Sequence, residues 1–178
     1  MHTACGFLAA VVTLQLATGL PLAAQPADKA EKPRNPFGVA DVSDPDGKDV
    51  QAFANTVKLS GDPKDPNAEQ WVKDATAGKK GSLDGEWSGR WNFTGGRWTY
   101  GRGAAQIKVV GDRVYILFRD DQGSFLFDTR REKDRLVGKF RRLDGPGFGP
   151  CVFLVVSDER LDGDWNGQGR WDFRRKLK

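Results

Sequence analysis

Histidine is nearly missing from this chain of 178 residues: there is only His2, alongside two cysteines, one methionine and two tyrosines. His2 and Cys5 both stand at the N-terminal edge, in or beside an uncharged apolar run, so residues 25–178 hold no histidine and a single cysteine, Cys151. A Ser-His-Asp or Cys-His catalytic site, a histidine zinc site and a histidine general base are therefore unavailable to that part of the chain. A disulfide within it is excluded as well. Cys151 opens the apolar run Cys151-Val152-Phe153-Leu154-Val155-Val156 and reads as a buried, inert thiol. Histidine and cysteine chemistry is thus excluded, no cofactor is expected, and the expectation is a protein that is not an enzyme.

Long hydrophobic runs are also scarce. The one candidate is residues 4–24, apolar or small and free of charge, with polar sequence from Gln25-Pro26 onward. This reads as a secretory signal peptide over 1–24, cleaved near Ala24, and places the protein outside the cytoplasm, secreted or periplasmic. The alternative is an uncleaved anchor, because about 20 apolar residues can cross a bilayer. No integral membrane segment is expected once the peptide is removed. Residues 25–82 read as a flexible linker with short helices, since 25–47 is rich in Pro, Asp, Lys and Ala and has no hydrophobic period. Asp44-Pro45-Asp46-Gly47-Lys48-Asp49 resembles a calcium loop only superficially, lacking the closing Glu, and is expected to be a turn. Val50, Phe53, Ala54 and Val57 stand at helical spacing within 49–59, and Trp71 and Val72 lie in a second short helical stretch over 67–75. Neither stretch is long enough to be stable alone, so both are expected to dock on the domain formed by residues 83–178.

What is abundant is glycine and tryptophan in alternation. Leu83-Asp84-Gly85-Glu86-Trp87-Ser88-Gly89-Arg90-Trp91-Asn92-Phe93 has a near-copy in Leu161-Asp162-Gly163-Asp164-Trp165 and Trp171-Asp172-Phe173. Side chains of a strand alternate between its faces, so each copy predicts an inner row of Leu, Gly, Trp and Phe and an outer row of charged and amide groups. Turn signals between the copies divide the chain into strands near 84–94, 97–102, 104–110, 113–119, 124–130, 135–142, 151–157 and 163–174. The fold class expected is all-β: a small antiparallel meander barrel of about eight strands over 83–178, with an open sheet or sandwich as the alternative. Val114-Tyr115-Ile116-Leu117-Phe118 is apolar on both faces, and its outer face calls for a cover, which the 49–75 segment can supply.

Gly85-Glu86-Trp87 on the first strand, with Arg174 and Arg175 ending the last, resembles the signature of the calycin barrels, the lipocalin and avidin-like superfamily. In that group a Gly-x-Trp closes the barrel floor and a basic side chain from the final strand stacks over the indole. The resemblance implies that Trp87 is the plug and Arg174 the lid, and that the barrel binds a small apolar ligand. A guanidinium over an indole face is a favourable contact.

The polar and aromatic residues admit several kinds of chemistry. Trp87, Trp98, Tyr100 and Arg174 are the candidate ligand-binding residues, Trp98 because it sits beside Arg97, Tyr100 and Arg102 in a short polar segment. The ligand would be small and apolar, or a glycan. Asp84 and Glu86 would line up with Asp162 and Asp164 if the first and last strands pair, and could serve a carboxylate-based hydrolase. By alternation they fall on the outer row, where a solvated face balanced by Arg90, Arg170 and Arg174 is the plainer expectation. Arg130, Arg131, Arg135, Lys139, Phe140, Arg141 and Arg142 interleave cations with an aromatic, as a single-stranded nucleic-acid platform would. The nearby 147–153 stretch is similar to the aromatic strand of cold-shock proteins but departs at Pro150 and Cys151. The formal charge is +4. It arises from 19 Lys and Arg against 14 Asp and Glu in 81–178, with 9 against 10 in 25–80. That excess is modest, and no nucleic-acid partner is expected of an exported protein. Asn92-Phe93-Thr94 is a formal glycosylation sequon. The function expected is a secreted, non-enzymatic barrel module that binds a ligand or serves a structural or interaction role.

Overall fold

The computed structural model describes residues 34–59, 71–72, 79–93 and 101–177. The expected signal peptide lies outside these residues, as do Trp98, Tyr100, and the helix expected over 67–75 except for Trp71 and Val72. Among the described residues one helix and eight strands run in order: α1 (Lys48–Thr56), β1 (Gly85–Phe93), β2 (Arg102–Val110), β3 (Arg113–Asp120), β4 (Gly123–Glu132), β5 (Arg135–Arg142), β6 (Phe148–Ser157), β7 (Arg160–Trp165) and β8 (Gly169–Arg174). Every strand pairs antiparallel with the next, and β1 pairs with β8, so the sheet closes into a barrel. Closure leaves no strand edge unpaired.

The last strand differs from expectation. The 163–174 stretch is not one strand but parts of two, β7 and β8, joined by a turn in which Asn166 and Gly167 both take positive φ, 55° and 67°. An Asn-Gly pair in that conformation reverses the chain with the twist a hairpin needs. The Asp164 carboxylate accepts the Gly167 N–H at 3.0 Å and holds the turn. The second copy of the motif is thus a hairpin, whereas the first is a single strand.

Alternation sorts the faces as expected. Trp87, Phe118, Phe127, Phe153, Trp171 and Phe173 point inward and are buried. Trp171 and Phe173 stack within 7° of parallel, and Phe127 meets Trp171 edge-on at 5.1 Å. Each such ring contributes about 1.5–3 kcal/mol by leaving water. The inward glycines make room for them: a Cβ on Gly163 would sit 2.2 Å from Cδ1 of Phe153.

The strand ends define two poles. At the floor, where β1 starts and β8 ends, Trp87 donates its indole N–H to the Leu83 carbonyl at 2.9 Å. The Arg175 guanidinium lies 4.3 Å from the centre of the Trp87 ring. It also donates to the carbonyls of Asp158 at 2.7 Å and Asp84 at 2.8 Å, and to that of Ser82. The lid is therefore Arg175, not Arg174. Arg174 pairs across from Ser88 and has outward parity, one residue out of phase with the inward Phe173.

The N-terminal segment is docked rather than free. Residues 34–47, expected to be linker, lie against the barrel wall through acids: Asp46 pairs with Arg113 at 2.8 Å and Arg130 at 3.4 Å. Asp44 and Asp49 flank Lys139 at 3.6 and 3.0 Å, so the acids of the loop at 44–49 hold a turn to the barrel, as the turn reading expects. Helix α1 forms where expected and buries Val50 and Ala54 on Val137 of β5 and Val152 of β6. It covers that side of the barrel, not the outer face of β3. Arg135 donates to the Ala54 carbonyl at 2.9 Å, placing a cation at the helix C-terminus, where the dipole favours it.

Candidate functional site

At the pole opposite Trp87, the 120–123, 142–148 and 165–169 connections surround an aromatic mouth. Its walls are Trp91 and Phe93 from the end of β1, Phe140 from β5, Phe148 from β6, Trp165 from β7 and Trp171 from β8. They enclose a cavity of about 260 Å³. Below it the barrel is filled by the phenylalanine core, so the site is a shallow cup at the rim and not a deep one. The wall rings brace one another: Trp91 and Trp165 meet at 81°, Phe93 and Trp165 at 65°, and Phe140 and Trp165 at 79°. Two rings remain open to solvent, Phe93 at 50% and Phe148 at 80%. Large exposed aromatics are unusual on a folded surface, and they cluster here with one cavity between them.

The polar groups of the mouth fall into two sets. Trp91 is satisfied: its Nε1–H donates to Asp120 Oδ2 at 2.7 Å. Gly101, with φ of 49°, passes so close that a Cβ there would lie 1.7 Å from the Trp91 Nε1, so only glycine admits this bond. By contrast, the Nε1–H groups of Trp165 and Trp171 are buried without an acceptor among the described residues. Buried indole N–H groups usually find a partner, and leaving one unmet costs about 1–3 kcal/mol. Around the lip stand the amides of Gln122, Asn166 and Gln168, and Arg142, whose charge is met by Asp144 at 2.8 Å. That guanidinium holds the exposed Asp144 carboxyl below its ordinary pKa. The lining is apolar, hydrogen-bonding and close to neutral.

The outer wall beside the β1–β8 seam is a grid of polar residues in register. Its rows are Ser88, Arg174 and Arg160; Arg90, Asp172 and Asp162; and Asn92, Arg170 and Asp164. Asp172 binds Arg90 at 2.8 Å and Arg174 at 3.0 Å, and Arg170 binds Asp162. The expectation of a solvated face fails here: Arg90, Asp162 and Asp172 are at most 2% exposed. Trp71 explains part of this, its ring standing 4.4 Å from the Arg90 guanidinium and 5.7 Å from that of Arg174. Asp164, half-buried at the end of the grid, has its pKa raised by burial, against the Gly167 N–H bond and Arg170 that favour its charge.

The four acids of the first motif and its copy are not brought together. Strand β8 lies between β1 and β7, Glu86 faces Gln106 of β2, and Asp84 accepts the Val109 N–H at 2.8 Å. The nucleic-acid platform is also divided: Phe140 is buried inside the barrel, while Lys139 and Arg141 bind the N-terminal segment outside. Asn92 of the sequon is 5% exposed in β1, and its side-chain oxygen accepts the Arg170 N–H at 3.3 Å. Cys151 is fully buried and burial pushes its thiol pKa well up, as an inert thiol requires. Among the described residues no group of three His, Cys, Asp or Glu could hold a metal, and no helix is long and apolar enough to cross a membrane.

Of the expected ligand residues, Trp87 belongs to the floor and Arg174 to the outer grid, while Trp98 and Tyr100 lie outside the described residues. Of the rings of the mouth, Trp91, Phe93, Trp165 and Trp171 fall on the expected inner row, whereas Phe140 and Phe148 come from the basic aromatic run and the cold-shock-like stretch. The class defined by this fold is a closed eight-stranded antiparallel barrel with an aromatic pole. No protein family and no curated protein matches the chain.

Proposed function

We propose that this protein is a secreted or periplasmic, non-enzymatic binding module, a barrel of the calycin kind that takes its ligand at the aromatic mouth. The observation that carries the reading is the meeting, in one cavity, of solvent-exposed aromatic rings with the amides of Gln122, Asn166 and Gln168 at the lip. Cavities of this character are the usual ligand sites of small barrels. The calycin likeness is supported by the floor, where a Gly-x-Trp on the first strand meets an arginine from beyond the last. Export is supported by the uncharged run over 4–24 and the polar sequence after it. The separation of Asp84 and Glu86 from Asp162 and Asp164 weighs against the carboxylate hydrolase, and the inward Phe140 weighs against a stacking platform for nucleic acid.

The test is tryptophan fluorescence with iodide quenching, during titration with a panel of glycans and hydrophobic ligands. A saturable response that shields Trp165, and is lost in Trp165→Phe but kept in Trp87→Phe, is expected. A panel that leaves the emission of the folded protein unchanged would refute the binding reading and leave a structural role.

A further inference from the structure

We infer that a second recess, on the barrel wall beside β5, takes the carboxylate of a small molecule with an apolar body. The recess lies between residues 42–44 of the N-terminal segment and the connection from β5 to β6. It encloses about 450 Å³, inside the usual range of roughly 300–1,000 Å³ for ligand sites. Lys139, Arg141 and Arg142 line it, together with Asp44 and the 80% exposed Phe148. Two of the three cations are already met by acids. Lys139 stands 3.0 Å from Asp49 and 3.6 Å from Asp44, and Arg142 binds Asp144 at 2.8 Å and the Gln122 carbonyl. Arg141 has no carboxylate among the described residues: its one hydrogen bond there runs from Nη1 to the Asp41 carbonyl at 2.8 Å.

The geometry of that guanidinium selects the ligand. Its Nε–H and Nη2–H edge has no acceptor among the described residues, and neither nitrogen is sealed from solvent, unlike the Nε1 atoms of Trp165 and Trp171. This edge is a planar fork, which a carboxylate meets with two parallel hydrogen bonds. Phe148 stands directly across from Arg141 in the β5–β6 register, so an aromatic ring and the fork are neighbours. A neutral apolar guest would cover the fork without giving it an acceptor, which binding penalises. A cationic guest would meet Lys139, Arg141 and Arg142 against the Asp44 carboxylate alone. Inorganic phosphate would engage the fork but leave the Phe148 ring in water. A carboxylate on an apolar body satisfies both. Asp44, with its side chain 75% exposed, is the competing acid of the recess and repels such a guest.

The experiment is a ¹H–¹⁵N spectrum of the labelled full chain, with the Arg141 Nε–H signal assigned by Arg141→Lys. Hexanoate, benzoate and phenylacetate are titrated beside their neutral amides, with acetate and inorganic phosphate as anions that lack the apolar body. At least one of the three apolar carboxylates is expected to shift the Arg141 signal saturably, with its amide about tenfold weaker or worse. Affinity should fall about tenfold in Arg141→Lys, which keeps the charge without the fork, and should rise in Asp44→Asn, which removes the competing acid. Trp165→Phe, the variant that tests the mouth, should leave carboxylate binding unchanged, so the two readings fail separately. An amide that binds as well as its acid would overturn the inference, as would phosphate binding where the carboxylates do not. A loss of binding in Trp165→Phe would place the carboxylate in the mouth and overturn the recess as its site. Silence of the Arg141 signal toward every probe would overturn it outright.

Discussion

Replacing Arg175 by methionine tests the floor of the barrel. The side chain makes three hydrogen bonds to carbonyls and one contact with an indole face, with Arg175 itself 2% exposed. A hydrogen bond contributes about 1 kcal/mol net, and more from a charged donor, while a shielded cation–π contact adds about 0.5–2 kcal/mol. Methionine keeps the apolar stem over Trp87 but leaves the three carbonyls to whatever water can reach them. The expected loss is about 3–4 kcal/mol, or about 10 °C in Tm for a domain of this size. Arg174→Met serves as the comparison. Arg174 shares Asp172 with Arg90, so the carboxylate stays paired and the expected loss is about 1 kcal/mol. Arg175→Lys keeps the charge but not the planar fork and should fall between the two. Equilibrium urea unfolding, monitored by tryptophan emission and by far-ultraviolet circular dichroism, gives each value. If Arg174→Met costs as much as Arg175→Met, the floor clamp is misassigned and the reasoning fails.

Other consequences can be measured with the same protein. Trp87→Ala should destabilise by about 3–5 kcal/mol, as loss of a buried ring does, while the folded fraction keeps its response at the mouth. Gly163→Ala puts a methyl against the Phe153 ring and should cost about 1–3 kcal/mol; Phe153→Leu in the same chain should recover part of that, which a double-mutant cycle would read. A cost that is the same with and without Phe153 would contradict the packing argument. Asp164 bears on pH dependence. Its folded pKa is raised, so its contribution to stability is fullest below the unfolded carboxylate value of about 3.9 and is lost as pH rises through the folded value. Asp164→Asn, which can still accept the Gly167 N–H, should therefore raise the urea midpoint at pH 7, and the gain should close by pH 3; a gain that grows on acidification would reverse the sign of the argument.

The barrel was legible because alternation and turn chemistry are local. Trp87, Phe118 and Phe173 could be assigned inward from parity alone, and the hairpins at Gly111 and Gly123 from their glycines. The same parity placed Arg175 inward and Arg174 outward, but the resemblance mapped the lid onto Arg174. The split of the last strand at Asn166-Gly167 was also readable, and was masked by treating the motif copy as one continuous strand. The mouth was not readable. Parity says which face a side chain takes but not its height along the barrel axis, so Trp91 and Trp165 at the rim look identical to Trp87 at the floor. Nor does parity say what covers an outer face. Arg90 and Asp172 were correctly outward, yet Trp71 lies over Arg90 from a segment with too little pattern to place.

The closure of the sheet bears on how long the folded molecule lasts. Seven of the eight strand pairings join sequence neighbours, and such hairpins form early because each closes a short loop. The eighth, β1 to β8, joins distant stretches, with Arg90 and Asp172 separated by 82 positions. Loop-closure entropy predicts that this seam zips last, and the Trp87–Arg175 clamp and the Arg90–Asp172 pair both lie across it. Interactions absent from the transition state act on the rate of opening and leave the rate of closing almost untouched. The polar grid and the floor clamp therefore set the lifetime of the barrel more than its speed of formation, and loosening either should shorten the interval between spontaneous openings while refolding proceeds at its old pace.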